Sequence, residues 1–558
     1  MEKVEKFLIK YRFFVISVLL APAVWALFVP GYYGASDDIH IAWLYEMDQV
    51  IKLGQFPPRY VPDLSFGFGY PLFSFVFPLP FYIAEIVHLI SRLSFVDSVK
   101  SVFFLSVPLS FFTMYLLLKR FSSQLLSIAG ALVYVYTPYR ATDLYVRGAI
   151  GELFSFAVLP IVALSVIKLS GYKFNLKWIG IGGLSLSALI LTHNITAYMF
   201  YPTVILLWLV LLLASRRDLA KKVLQFFLMN LLGLAGSIYF WLPAIIESKL
   251  FKYDTVFNFT DHFPTLKQLF TPYFGYGASV PGPFDGLSFF IGFINILLVI
   301  TAFLSVFLYR KKYSKTEFAF FGWLMVILLM TVFMMNFRST FVWENVPLIP
   351  YFQFPWRFLI LTTFITPLFI IFLEKSEYKN ILAILIIISV VSLNGVYFRP
   401  HDFLGREDSY FLDRYIPYPK ASEEYKKTQE EYLRLPKDLI KRPDQNYPLT
   451  FPVTEQIIQI NPFNRLAGET KVKADKDFIL YFNKYYYPGW QVKIDKQKTE
   501  IFSSPPFGQV SVKIPSGEHL VEILFKETVL RQSLNLVSLL AIILSLSLTF
   551  QTRLKENE

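Results

Sequence analysis

Apolar runs separated by short polar connections fill most of the first 397 residues, and one more lies at the C-terminal end. Runs at about 13–30, 100–118, 125–138, 151–168, 178–192, 196–214, 223–244, 287–309, 317–335, 356–373, 380–397 and 530–550 approach the roughly 20 residues with which an α-helix crosses a bilayer. They predict about twelve membrane-spanning helices. The stretch 70–91, YPLFSFVFPLPFYIAEIVHLIS, is nearly as apolar but holds Pro71, Pro78, Pro80, Glu85 and His88. Proline inside a helix costs about 3 kcal/mol. Charge settles its placement. If this stretch does not cross, the connections KRFSSQ, KLSGYKFNLK, SRRDLAKK, YRKKYSK and EKSEYK and the tail TRLKENE all fall in the cytoplasm, and all are basic. If it crosses, they fall outside, against the positive-inside rule. The stretch is therefore expected to be interfacial or re-entrant, with both chain ends, including MEKVEKFLIKYR, in the cytoplasm. The first run is followed by PGYYGASDD, without a small-residue cleavage site, and reads as a retained anchor.

The same parity sends the polar-rich loops to the extracytoplasmic side: 31–99, 138–152, the His193–Asn194 turn, 247–286, 336–355 and the long segment 398–528. Within the last, 423–436 (EEYKKTQEEYLRLP) suits a short helix. From about 451 the pattern changes to short alternating runs, FILYFNKY, WQVKID, TEIF, QVSVKI and HLVEILF, separated by PG, PP and PSG turns. Alternation of this kind predicts a small antiparallel β-sandwich. The expected organisation is a transmembrane domain over 1–397 with its first outer loop at 31–99. A mainly β domain follows over 398–528, then a final transmembrane helix and tail over 529–558.

Composition narrows the chemistry. Of 558 residues, 55% are hydrophobic and 18% aromatic, and the mean hydropathy is +0.48. The net charge of +12 lies largely in the short connections, where it orients the chain in the membrane; it is not a nucleic-acid signal. No cysteine is present, which excludes disulfides, zinc thiolates and iron–sulfur clusters. The six histidines, at 40, 88, 193, 262, 401 and 519, have no zinc-ligand spacing.

The first outer loop opens on Asp37 and Asp38, with His40 three residues after Asp37, so that a helix starting here places Asp37 and His40 on one face. Paired carboxylates at a membrane surface suit a general base or a hard cation; they equally suit a helix cap formed with Ser36. The second constellation, TPYRATDLYVRGAIGE, carries Arg140, Asp143, Arg147 and Glu152 between two apolar spans, where charge is costly and marks function by default. Two guanidinium forks suit phosphate oxygens. The alternative is an internal ion pair between Arg147 and Glu152. His193 and Asn194 stand at the outer end of a span, as ligands or as packing residues. Arg357, in YFQFPWRFL, either binds lipid phosphate or snorkels to the interface. Asp261, His262 and Asp285 share a loop rich in Gly and Phe and give only a weak signal.

One helix, an acidic outer loop, two helices and then an outer loop of the form P-Y-R-x-x-D-x-x-x-R-G resembles the GT-C superfamily of membrane glycosyltransferases. The stretches SDDIHIAWLYEMDQVIKLGQFPPRYVPDLSFGFGYPLF, DLYVRGAIGE, THNITA, FQFPWRFL and YYPGWQVKID are similar to the membrane family labelled "6-pyruvoyl-tetrahydropterin synthase-related". YYPGWQVKID also resembles the C-terminal part of YfhO-type proteins. The pterin label implies a soluble zinc enzyme, which the scattered histidines do not support. The GT-C resemblance implies sugar transfer from a polyprenyl-phosphate or -diphosphate donor to a glycan, lipid or protein acceptor, outside the plasma membrane. It implies Asp37 or Asp38 as catalytic base or metal ligand, without choosing between them. It implies Arg147, and with it Arg140, on the donor phosphate, and Asp143 as the second acidic residue. Asp143 is not part of a DxD-type pair. A divalent cation, Mg or Mn, on Asp38 and Asp143 is the cofactor the resemblance leaves open. His40, Glu152, His193, Asn194 and Arg357 complete the expected substrate-binding set. A flippase for lipid-linked sugars, the competing reading, predicts charges at mid-membrane and internal repeats; the spans are mostly clean and no repeat is present. A non-catalytic binding protein is the third reading.

Overall fold

The computed structural model describes residues 12–215, 217–252, 258–428, 435–447, 450–451, 457–460 and 465–550. The basic N-terminal segment before Arg12, the tail TRLKENE and residues 429–434 of the helix predicted at 423–436 lie outside the described residues. The helices that matter here are α1 (Arg12–Val24), α2 (His40–Lys52), α3 (Leu79–Ser91), α4 (Phe95–Leu118), α5 (Gln124–Val135), α6 (Ile150–Leu169), α7 (Leu176–Thr192) and α8 (Asn194–Ala214). They are followed by α9 (Leu219–Glu247), α10 (Phe293–Leu308), α11 (Lys315–Met335), α12 (Leu359–Leu368), α13 (Lys379–Asn394), α14 (Asp408–Tyr415) and α15 (Val529–Phe550).

Every predicted apolar run coincides with a helix. Among the described residues, eight helical stretches are long and apolar enough to cross a membrane: 95–118, 150–169, 194–214, 219–250, 315–335, 355–373, 379–397 and 529–550. Helices at 13–28, 124–135, 176–192 and 293–308 are shorter. The chain is thus a multi-pass membrane protein in its helical part. The proline-rich stretch 70–91 resolves into a turn and the 13-residue α3, with Pro80 in its first turn, where a missing N–H costs nothing. Ile86, Leu89 and Ile90 of α3 are exposed, while Glu85 is buried.

The spans pack through small residues. α15, the last helix, lies against α7 and α9. A Cβ on Gly180 of α7 would sit 2.4 Å from the Ser545 carbonyl oxygen, so the backbones touch there. Ser538 Oγ of α15 donates to the Ala235 carbonyl of α9 at 3.0 Å. In lipid, where apolar association gives little drive, such close approach and interhelical hydrogen bonds hold spans together.

The C-terminal region is two antiparallel sheets. The strands are β1 (Thr450–Phe451), β2 (Ile457–Ile460), β3 (Ala467–Ala474), β4 (Phe478–Tyr485), β5 (Trp490–Ile494), β6 (Gln497–Thr499), β7 (Phe502–Ser504), β8 (Gln509–Ile514) and β9 (Gly517–Phe525). One sheet has the order β1-β4-β8-β7 and the other β2-β3-β9-β5-β6. Alternate residues Val521, Ile523 and Phe525 of β9 are buried, as half-buried strands require.

The loop expected to be the first outer one, 31–99, joins the two parts. Tyr485 N–H donates to the Phe68 carbonyl at 2.9 Å, Ser65 Oγ meets the Tyr485 hydroxyl at 2.7 Å, and Tyr60 packs edge-on against Trp490 at 5.2 Å. Lys484, buried, donates its Nζ to the Gly67 carbonyl at 2.6 Å. Arg465 pairs with Asp63 at 2.9 Å, and Glu46 is buried beside them. Burial pushes Asp63 up to about 6 against the pull of Arg465 and Lys484.

Two predictions follow from this architecture. With its native pKa above the ordinary carboxylate value, Asp63 favours the docked loop fully below about pH 4, and that increment is lost as pH rises through about 6. The melting-temperature difference between Asp63→Asn and wild type should therefore shift in favour of the variant between pH 4 and 7; a pH-independent difference rules this out. For topology, Arg217→Cys in the otherwise cysteine-free chain should react with an impermeant maleimide only after the membrane is permeabilised. Labelling from outside would invert the predicted orientation.

Candidate active site

The site begins in a π-helical turn, Thr142–Arg147, that follows a short helix, Pro138–Ala141. A helix end leaves carbonyls without intrahelical partners, and the acidic loop supplies donors for them. Ser36 N–H donates to the Val146 carbonyl at 3.1 Å and Asp37 N–H to the Arg147 carbonyl at 2.7 Å. His40 Nδ1–H donates to the Gly148 carbonyl at 3.1 Å. Gly148 closes the turn with φ +69°, and the Tyr32 hydroxyl lies 3.0 Å from where its Cβ would be. The two sequence constellations, more than one hundred residues apart, are thus one backbone unit.

Around it lies a buried ion network. Arg147 Nη1 reaches Asp143 Oδ1 at 2.5 Å and Glu152 Oε2 at 3.1 Å, and its guanidinium lies 4.9 Å from the Trp356 ring centre. Glu152, fully buried, also pairs with Arg357 Nε at 3.7 Å and accepts from the Tyr139 hydroxyl. Burial, reinforced by the facing Glu152, pushes the Asp143 carboxyl well above its ordinary value. The network therefore holds two guanidiniums and two acidic side chains, Asp143 and Glu152. The internal Arg147–Glu152 ion pair weighed from the sequence is present.

Arg357 is set by an unusual turn. Phe354 N–H donates to the Phe352 carbonyl at 2.8 Å across Gln353, whose φ and ψ are +69° and −52°. This is the strained form of the γ-turn, rare in side-chain-bearing residues. Arg357 Nη1 donates to the Phe352 carbonyl at 3.0 Å and to the Gln353 side-chain oxygen. Its guanidinium is tied into the protein rather than snorkelling.

A cavity of 960 Å³ opens over these groups. Asp37, Arg147, Gln353, Trp356 and Arg357 line it, with Ser36, His262, Tyr276, Ser279, His401 and Asp402 at its other walls. Asp285 shapes one wall, accepting from Ser279 Oγ at 3.0 Å and Val280 N–H at 2.9 Å. His262 Nδ1 lies 2.9 Å from Ser279 Oγ, and burial lowers its pKa.

The other sequence candidates lie elsewhere. Asp38 is buried and does not line the cavity. It accepts from the Tyr415 hydroxyl of α14 at 2.5 Å and faces Arg406 at 3.7 Å; burial pushes its pKa up. Neither aspartate caps α2, whose N-cap is Ile39 and has no side-chain cap bond. Because α2 starts at His40, Asp37 precedes it, and the two do not share a helix face as expected. Arg140 is buried away from the cavity, donating to Ser110 Oγ at 2.6 Å and lying over the rings of Tyr134 and Phe156. His193 caps α8, accepting from Thr196 N–H at 3.2 Å; burial holds it down at about 3, hence neutral. His40 is also buried, and Asn194 is exposed. Asp38 and Asp143 do not form a cation site: each is engaged by an arginine. Among the described residues no group of three or more His, Asp or Glu converges as metal ligands.

Gln353 and Trp356 lay within a stretch singled out for Arg357 alone. Nothing in its local pattern announced the positive-φ turn. Tyr276, Ser279, His401 and Asp402 carried no local signal at all.

No protein-family model and no curated protein matches this chain. Among solved structures, it is similar to the arabinofuranosyltransferase AftD from mycobacteria, at 12% identity and a TM-score of 0.44 over 70% of this chain and 27% of that one. It is also similar to the archaeal oligosaccharyltransferase AglB from Archaeoglobus fulgidus, in complex with an inhibitory peptide and a dolichol-phosphate, at 12% identity and TM-score 0.41 over 74% and 56%. A third is ArnT from Cupriavidus metallidurans bound to undecaprenyl phosphate, at 12% identity and TM-score 0.38 over 73% and 68%. The chain spans about a quarter of the first of these proteins and just over half of the second.

The two aspartates should separate experimentally. Asp38→Asn breaks a buried, charge-assisted contact and should destabilise the protein by about 1–3 kcal/mol, seen as a lowered melting temperature. Asp37→Asn should melt within about 1 °C of wild type, as expected for a half-exposed side chain. Equal losses of stability would contradict these assignments.

Proposed function

We propose that this protein is a glycosyltransferase of the GT-C type, acting on the extracytoplasmic face of the plasma membrane. It transfers a sugar from a polyprenyl-phosphate or -diphosphate donor to a glycan, lipid or protein hydroxyl. The observation that carries the reading is the meeting of Asp37, Arg147 and Arg357 in one cavity. The chemistry needs a base for the acceptor and fixed positive charge for the leaving phosphate, and these residues are of those types.

In this reaction the acceptor oxygen attacks the anomeric carbon of the donor sugar, and its proton passes to the Asp37 carboxylate. The bond between the anomeric carbon and the phosphate oxygen breaks, and its electron pair stays on that oxygen. The charge that develops there faces Arg147 and Arg357. Glu152 keeps both guanidiniums in place, Trp356 backs the face of Arg147, and Gln353 steers Arg357. Asp38 is a positioning residue that holds the loop presenting Asp37 against α14. Because the Asp38 and Asp143 carboxyls are already engaged by arginines, no step runs through a metal ion.

The test is turnover of the purified protein in lipid with a panel of polyprenyl-phosphate and -diphosphate sugars and glycan acceptors, with sugar transferred or hydrolysed as the readout. Asp37→Asn should lower kcat by about 10²- to 10⁴-fold. Arg147→Lys and Arg357→Lys should lower kcat/KM, because an ammonium does not reproduce the guanidinium fork. Wild-type activity in Asp37→Asn would remove it as the base. Saturable donor binding without turnover would instead favour a carrier.

A further inference from the structure

We infer that the donor is a prenyl monophosphate sugar and not a diphosphate, a narrowing that rests on the glycosyltransferase reading above. The first support is the inventory of charge. Among the described residues lining the cavity, the permanent cations are Arg147 and Arg357, and no lysine is present. Asp37 and Asp402 line the same space, and Glu152 stands behind both arginines. A monophosphate donor carries one negative charge and leaves as a dianion. A diphosphate adds one more negative charge at both stages, and, with two guanidiniums already facing three carboxylates, that added charge meets no further cation among the described lining residues.

The second support is the inventory of donors. Nη1 of Arg147 is taken by Asp143, Glu152 and the Tyr139 hydroxyl. Nη1 of Arg357 is taken by the Phe352 carbonyl and the Gln353 amide, and its Nε faces Glu152. What remains without a protein acceptor among the described residues is Nε and Nη2 of Arg147 and Nη2 of Arg357. Those nitrogens match the three terminal oxygens of one leaving phosphate. Among the described residues, the oxygens of a second phosphate find no further guanidinium or lysine in the cavity lining and no metal-ligand cluster. The Gln353 turn makes this selective, since it spends part of the Arg357 fork on the protein itself and fixes what is left.

The balance of the step is that of the proposed reaction: the anomeric carbon exchanges its phosphate oxygen for the acceptor oxygen, Asp37 takes the proton, and prenyl phosphate leaves with the electron pair.

The experiment is calorimetric titration of the full-length protein in nanodiscs with a short-chain prenyl monophosphate and the matching prenyl diphosphate, each with EDTA and with Mg²⁺. Inorganic phosphate and a short-chain phosphatidic acid distinguish a prenyl-phosphate site from a general phosphate or headgroup site. The monophosphate should bind at least tenfold tighter than each of the other three, equally in EDTA and Mg²⁺. Arg357→Lys, checked for an unchanged melting temperature, should weaken it at least tenfold. Should Arg357→Lys fail to fold, Gln353→Glu is the second variant; its added charge should weaken binding of the monophosphate. A diphosphate that binds as tightly or more tightly, or a requirement for Mg²⁺, overturns this inference and leaves the glycosyltransferase standing. Equal binding of phosphatidic acid or inorganic phosphate also overturns it. Binding of neither prenyl compound overturns both readings.

Discussion

The site depends on one buried carboxylate shared by two arginines. Glu152 has no solvent exposure, and it contacts Arg147 at 3.1 Å and Arg357 at 3.7 Å. Away from water, an unpaired guanidinium costs several kcal/mol, and removing one member of such a group strands the others. Glu152 thus lets two positive charges stand together at the floor of a cavity. Arg147 and Arg357 both line the cavity, where an anionic ligand can meet their guanidiniums. The register of the acidic loop, the π-helical turn and the strained Gln353 turn all serve to bring side chains to this carboxylate or to present what it leaves free.

The acidic loop that follows α1 carries that geometry into the rest of the molecule. On one side its amides close the π-helical turn; on the other, residues 60–68 are held by β4 and by Trp490. Asp38 reaches α14 between the two. The sheets are therefore part of what holds Asp37 in place, even though none of their strands lines the cavity. The adjacent aspartates differ in their contacts because successive side chains in the turn before α2 point into different surroundings. One meets the cavity, and the other meets the hydroxyl of Tyr415.

Much of this was visible in the chain before any contact was known. Apolar run length, basic connections and the alternating pattern after residue 451 are local properties, and the helices and most strands appear where those properties put them, the run TEIF excepted, which falls across the break between β6 and β7. The acidic loop and the Arg147 segment stood out because charge beside an apolar span is expensive. Arg140 stood out for the same reason, yet it lies among aromatic rings with Ser110 as its partner. Composition registers the cost of a buried charge without showing which neighbour offsets it.

The sequence by itself determined the membrane architecture, the side on which polar chemistry is expected and the short set of segments able to perform it, because hydropathy and charge act over neighbouring residues. Tertiary structure alone put Asp37 in the lining of the cavity and Asp38 and Arg140 outside it, and joined Arg357, Gln353 and Trp356 to Arg147. The contact that separates the aspartates spans 377 residues. Burial and partnership at that range are products of packing, which no local pattern encodes.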